Sequence, residues 1–260
     1  MFRLNPRFAV LMLAVTLGGC GPEEMMKEET DTETEAVLAT AEQELVGSGS
    51  YVWTSSSAAT PMGTSTDRFC FLEKVRGRLD GPSDHVRIFA ADGSWYLHGN
   101  AGSGGPLQAG ARCAYRSGGV LSGEYEWTPG QNLPTNMGTA SGRVCFLTRV
   151  DGEFNSGGHW IRAYVSGGSW FLFGSSSKVY GRARARCITV PSYSGEYVWS
   201  QGQSYGEHMG TTTNRVCALV YMAGEFASFN EYVDILPTAG SYYLRGSSST
   251  YGVAARARCF

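Results

Sequence analysis

The sequence predicts an all-β protein of three tandem repeats, each about 65–75 residues long and framed by two cysteines. Three observations lead there. Nearly the same text occurs three times, at offsets of 72 to 75 residues. Within each copy, short runs either alternate or stay apolar over lengths that suit strands, with Ser, Asp and Gly clusters between them. No window sustains a helical period, and 35 glycines favour tight turns.

The chain begins with a segment of another kind. Arg3 and Arg7 precede an apolar run from Phe8 to Leu17. Ten residues are too few to cross a bilayer, which takes ~20, but they suit the apolar centre of an export signal. The run ends in Leu17-Gly18-Gly19-Cys20, which resembles the lipobox of bacterial lipoproteins. That resemblance implies a signal peptide over 1–19 and lipidation at Cys20. It also implies attachment to the bacterial cell envelope, at the outer membrane because Gly21 rather than an aspartate follows the cysteine.

Residues 20–48 read as an acidic, disordered tether. Positions 21–44 carry nine Asp or Glu against the single Lys27 and no aromatic residue, too little apolar surface to offset ordering entropy. The whole-chain charge of −2 therefore hides the character of the body. From residue 45 onward there are 18 Lys and Arg and 14 Asp and Glu, a surplus of four positive charges. That is well short of a nucleic-acid-binding face, so no nucleic-acid partner is expected.

The repeats span 49–116, 123–189 and 195–260. Trp53, Trp127 and Trp199 correspond, as do Met62, Met137 and Met209. Each copy reads as about five strands, counting the opening Tyr-x-Trp segment. They either sit as separate beads or pack about a pseudo-threefold axis, and the pattern leaves both open.

Setting Cys20 aside leaves Cys70, Cys113, Cys145, Cys187, Cys217 and Cys259, two per copy. Repeat symmetry reduces the 15 possible pairings to two sensible ones, within copies (70–113, 145–187, 217–259) or between them. Pairing within copies is expected, because a unit this small gains most from its own staple. Neither Cys-x-x-Cys nor a repeated histidine accompanies the cysteines, so no metal and no cofactor is expected.

The run Tyr180-Gly-Arg-Ala-Arg-Ala-Arg-Cys187 alternates strictly. On a strand, Ala183, Ala185 and Cys187 share one face, and Arg182, Arg184 and Arg186 share the other. The cysteine turns toward its partner, so the arginines face outward. They form either a basic patch or a ladder over aromatics such as Trp170, Trp95 or Tyr242. The ladder is expected, since the other copies keep fewer arginines there.

Trp53, Trp127 and Trp199 are expected in the core. Candidate ligand contacts are Trp160, Tyr164 and Tyr232, before a turn, Tyr180 and Tyr251 in the serine-rich loop, and Arg182, Arg184 and Arg186. No catalytic residue is expected. His85, His98, His159 and His208 occupy no shared position and are expected at the surface. Glu153 and Glu225 correspond to Arg78, and no hydrolase or metalloprotease motif occurs.

Arg143-Val-Cys-Phe-Leu147, Gly168-Ser-Trp-Phe-Leu172 and Ala183-Arg-Ala-Arg-Cys187, with their counterparts, resemble bacterial lipoproteins of myxobacterial type with cysteine-framed, glycine-rich β repeats. The resemblance covers residues 50–260 and the lipobox. It implies the architecture and carries no activity. The expectation is a non-enzymatic envelope protein, held at the membrane by its lipid, that presents three β repeats to a glycan or an envelope protein. A structural role without a small ligand, and an enzyme of unknown class, are the alternatives.

Overall fold

The structure is a computed structural model and describes residues 47–102, 104–116, 118–176 and 180–260. The signal segment, Cys20 and the tether through residue 46 lie outside the described residues. Repeat 1 supplies β1 (Gly47–Thr54), β2 (Thr60–Thr64), β3 (Arg68–Gly77), β4 (His85–Ala91), β5 (Ser94–Asn100) and β6 (Leu107–Tyr115). Repeat 2 supplies β7 (Tyr125–Trp127), β8 (Thr135–Thr139), β9 (Arg143–Asp151), β10 (Trp160–Ser166), β11 (Ser169–Ser175) and β12 (Ala183–Thr189). Repeat 3 supplies β13 (Tyr197–Ser200), β14 (Glu207–Thr211), β15 (Cys217–Ala223), β16 (Tyr232–Thr238), β17 (Ser241–Ser247) and β18 (Ala254–Cys259). The described residues contain no helix.

Each copy thus has six strands where the sequence suggests five. The additional one is the Met-Gly-Thr strand, β2, β8 or β14. It carries few apolar residues, and its glycine (Gly63, Gly138 or Gly210) takes a φ of 95° or 96° where the register shifts. A bulge of this kind interrupts the alternation by which a strand is recognised.

The strands form three six-stranded sheets, and none belongs to a single repeat. Their orders are β1-β6-β3-β16-β17-β14, β2-β5-β4-β9-β12-β7 and β13-β18-β15-β10-β11-β8. Each sheet joins strands one, six and three of one repeat to strands four, five and two of the repeat before it, and the third repeat closes onto the first. The repeats are therefore interlocked about a pseudo-threefold axis and are not separate beads. A triangle of backbone hydrogen bonds closes the ring: Leu79 N–H to Phe226 O (2.8 Å), Phe226 N–H to Phe154 O (2.7 Å), and Phe154 N–H to Leu79 O (2.9 Å).

The disulfides nevertheless stay within repeats, as Cys70–Cys113, Cys145–Cys187 and Cys217–Cys259. Each pair sits directly opposite on two neighbouring strands. Covalent staples and sheet pairing thus run in different directions, one holding a copy together and the other binding copies to each other.

The core lies between the sheets. Phe69, Phe71, Phe146 and Phe260 gather with ring centroids 5.7 to 6.1 Å apart. Phe71 and Phe146 are equivalent, and repeat 3 has Ala218 at that place. Phe260 fills the gap, lying 7° from parallel to Phe146. Trp53, Trp127 and Trp199 are each 2% exposed, as expected of core residues. Opposite them stand Gly99, Gly174 and Gly246, where a Cβ would come within 2.4 to 2.6 Å of the indole. The glycine that closes each Trp/Tyr-x-Leu-x-Gly run is thus required by the tryptophan of the same repeat.

Candidate functional site

At the middle of each sheet, strand four of one repeat pairs with strand three of the next over three residues. We call this junction a seam. The pairs are His85–Asp151, Val86–Val150 and Arg87–Arg149 between repeats 1 and 2. Between repeats 2 and 3 they are Trp160–Ala223, Ile161–Met222 and Arg162–Tyr221. Between repeats 3 and 1 they are Tyr232–Arg76, Val233–Val75 and Asp234–Lys74. The middle pair is buried in every case and the flanking pairs turn outward, so one backbone presents three different chemistries.

The first seam is the polar one. In register across it run His98, Arg87, Arg149, Arg184 and Glu126, one from each of five strands. The neighbouring row holds Asn100, His85 and Asp151. A cleft of about 340 Å³ opens at its end, lined by Ser83, Asp84, His85, Asn100, Arg149, Asp151, Tyr180 and Arg182. Its floor is fixed by Asp84, fully buried, whose carboxylate accepts from Gly81 N–H at 2.8 Å while its carbonyl accepts from Gly152 N–H at 2.6 Å. His159 and Glu231 hold the same place in the other copies and are also buried. His159 was expected at the surface. Its ring instead bonds the Glu153 carbonyl, because this position caps the loop before strand four in every copy.

Most of the cations here are paired. Arg149 bonds Asp151 at 2.5 Å, and Arg184 bonds Glu126 at 2.5 Å and Glu124 at 2.9 Å. Arg182 lies 3.7 Å from Asp151 and 3.8 Å from Glu126. Arg87 has no carboxylate within 4.0 Å among the described residues, and its guanidinium rests over Phe89 at 4.6 Å. Phe89 is in turn stacked on Tyr96, centroids 5.5 Å apart and 24° from parallel. Burial, reinforced by Arg149 and Arg184, pulls the Arg87 pKa down.

Both imidazoles are held below the usual histidine range, His85 by burial, with Arg149 and Arg87 adding to it, and His98 by burial and then Arg87. His85 Nδ1 lies 3.1 Å from the Ser83 carbonyl, which can only accept, so Nδ1 carries the proton and Nε2 is an acceptor. Neither His85 Nε2 nor His98 Nδ1 has a hydrogen-bond partner among the described residues. The site therefore combines a surplus cation, two imidazole nitrogens closed off from solvent and an aromatic platform.

The residues nominated from sequence do not converge on one place. Trp160 and Tyr164 lie on β10, where Trp160 packs on Phe173 and Tyr164 on Phe171. Tyr232 lies on β16 beside Arg76 and Arg245. Tyr251 is 80% exposed before β18. Only Tyr180 and Arg182 line the polar cleft, with Arg184 next to it.

The arginine face also differs from a uniformly outward one. Side-chain exposure falls from 40% at Arg182 to 29% at Arg184 and 20% at Arg186. Arg186 lies over Trp95 of the preceding repeat at 5.4 Å, as Arg258 lies over Trp170 at 5.3 Å and Arg112 over Tyr242 at 5.9 Å. The inner end of the strand is covered because the next repeat packs onto it.

Sequence reading missed the acids that face these arginines, Glu124, Glu126 and Glu196, and it missed Arg87, His85 and His98 as neighbours. The Ser-Gly-Glu-Tyr of residues 122–125 and 194–197 was a usable signal. Its serine hydroxyl accepts from the backbone N–H of the disulfide cysteine at 2.9 Å in both copies, and its glutamate meets the arginines.

Two other clefts are lined by Arg112, Arg215 and Tyr242 and by Asp67, Tyr115 and Arg116. The described residues hold no group of three or more metal-ligating side chains. The chain matches no protein-family model, and no curated protein is significantly similar to it.

Proposed function

We propose that this is a non-enzymatic lipoprotein of the bacterial envelope, anchored through Cys20 in the outer membrane, whose body binds a glycan or an envelope partner. The anchor reading rests on the charged start, the apolar run and the Leu-Gly-Gly-Cys ending at Cys20. Two or more acyl chains there would hold the protein stably, where one chain is marginal. The resemblance to myxobacterial-type repeat lipoproteins agrees with this address. Labelling cells with a palmitate analogue should tag the wild type and miss Cys20→Ser; equal labelling of both would remove the anchor from the proposal.

One observation supports binding. Three seams share a register and a buried central pair, and their outward residues differ at every equivalent place except one, where Arg87 and Arg162 correspond. A scaffold that is fixed inside and varied at equivalent outward places suits recognition. A purely structural protein would gain nothing from placing a surplus arginine beside two unpartnered imidazole nitrogens, because unmade hydrogen bonds of this kind cost ~1–3 kcal/mol each. Screening the body, residues 46–260, on a glycan array should give hits that weaken in His85→Ala. No hit, with specific capture of an envelope protein, would favour the structural role, and turnover of a bound sugar would make the protein an enzyme.

A further inference from the structure

We propose that the seam between repeats 1 and 2 binds a carboxylate-bearing sugar, with Arg87 taking the carboxylate, Asn100 taking a hydroxyl, and Phe89 with Tyr96 backing the ring. The inference rests on the binding reading above and names the chemistry of its ligand.

Charge is the first argument. Around this seam, Arg149, Arg182, Arg184 and Arg186 meet Glu124, Glu126 and Asp151. Four cations already share three carboxylates, and the fifth, Arg87, has none within 4.0 Å among the described residues. Arg87 stands in register between His98 and Arg149, so a second arginine flanks it while Arg149 keeps Asp151 for itself. A guanidinium in such a place offers a fork of donors that fits a carboxylate with two parallel bonds.

The second argument is the kind of neighbour. His85 Nε2 is closed off from solvent, so the hydroxyl partner is its cross-strand neighbour Asn100. Asn100 is exposed at the cleft rim, where one N–H goes to the Ser83 carbonyl at 3.0 Å and the second N–H and the amide oxygen can donate or accept. Phe89 and Tyr96 lie nearly parallel and half-buried on the same outward face, a surface for the apolar side of a pyranose ring. A cation, a hydroxyl acceptor and an aromatic face together describe an acidic sugar better than a bare anion.

The third argument is contrast. At the equivalent row, the second seam has Phe173, Arg162, Tyr221 and Arg256, and a single acid, Glu196, holds both arginines at 2.8 and 2.7 Å. The third has Arg245, Asp234 and Lys74, with Arg245 bonded to Asp234 at 3.0 Å. Among the described residues, only the first seam leaves an arginine of this row without a carboxylate.

The test uses the full-length lipidated protein in detergent micelles, titrated calorimetrically with trigalacturonate, its fully methyl-esterified form, and a triglutamate peptide. Trigalacturonate should bind, with affinity falling as salt is raised. Esterification should weaken it about tenfold or more, the scale of a lost charge-assisted pair. Arg87→Gln should cause a similar loss at unchanged melting temperature, and Arg245→Gln, which removes the same charge from another seam, should leave binding intact. Equal binding of the acid and its ester, or tighter binding of the peptide, overturns the assignment without needing any variant. Binding only of neutral sugars, lost in Tyr180→Ala, would overturn the acidic ligand and keep the binding reading. No sugar binding at all would overturn both.

Discussion

In repeat 1, Arg112 leans over Tyr242 and bonds Glu73 at 3.0 Å; in repeat 3, the equivalent Arg258 leans over Trp170 and meets Glu196 at 3.5 Å. The arginines match, but the acids come from different strands. Glu196 precedes β13, at the place that Ser50 holds in repeat 1. Glu73 is the extra residue of the bulge in β3, at the place of Thr148 and Val220. Repeat 1 thus replaces a missing partner by moving the acid to another strand. Interdigitated repeats share a requirement for charge balance, and they do not share the position that meets it.

The electrostatic result is opposite in the two copies. Burial pushes the Glu73 carboxyl up, to about 7, with Arg112 only partly offsetting it and Asp234 adding to the rise. Burial also pushes Glu196 up, but Arg256, Arg162 and Arg258 together outweigh it and hold the group below the usual carboxylate range. One acid with one arginine is a strained arrangement, and one acid with three is a satisfied one.

The largest test of this comparison concerns the core. Repeat 3 lacks the phenylalanine of Phe71 and Phe146, and Phe260 arrives from the end of the chain to fill that space. Phe260→Ala is expected to cost about 3–5 kcal/mol in urea denaturation, as for other fully packed phenylalanines. Adding Ala218→Phe should recover part of the loss. A cost near zero for Phe260→Ala would mean that the final residue frays and that repeat 3 is closed some other way.

A smaller effect separates the two arginines. Arg112→Met leaves Glu73, 3% exposed, without its one salt-bridge partner among the described residues, and should cost about 3 kcal/mol at pH 8.5, where that carboxylate is charged. Arg258→Met leaves Glu196 with Arg162 and Arg256 and should cost about 1 kcal/mol. Equal costs would show that cation–π packing decides both sites, and that the acids are incidental.

Much of the architecture was legible because it depends on spacing. Facing cysteines, Tyr-x-Trp segments and closing glycines recur at fixed offsets, and each has a local physical cause. What was not legible depends on which copy meets which. Nothing within one repeat reveals that β4, paired with β5 on one edge, takes β9 of the next copy on the other. For that reason Arg87 and Arg149, separated by 62 positions, could not be seen as neighbours. The arginine run was legible up to its alternation, but the burial of Arg186 follows from Trp95 of the preceding copy. The bulge acid Glu73 was invisible for a related reason, since an inserted residue breaks the period that assigns faces.

The smallest effect isolates Glu73 by its pH dependence. The group's ordinary value is 4.5, and in the fold it is pushed up to about 7. Between those values the folded protein binds more protons than the unfolded chain, so stability falls as pH rises through this window and levels off above 7. The shift corresponds to at most about 3 kcal/mol, and relaxation around the buried charge should reduce the observed change to ~2 kcal/mol. Other groups move the opposite way. His85 and His98, held below the usual histidine range, favour the fold increasingly as pH rises toward 6.5. Glu196 contributes stability above its unfolded value and loses it only as pH falls through its lowered folded one. The measurement must therefore be a difference, with unfolding free energy of wild type and Glu73→Gln compared at steps from pH 4.5 to 8. Wild type should lose ground against the variant through that range and hold a constant gap beyond it. A gap that stays flat, or that widens below pH 4.5 instead, would mean that Arg112 holds Glu73 as firmly as three arginines hold Glu196, and the contrast between the two repeats would disappear.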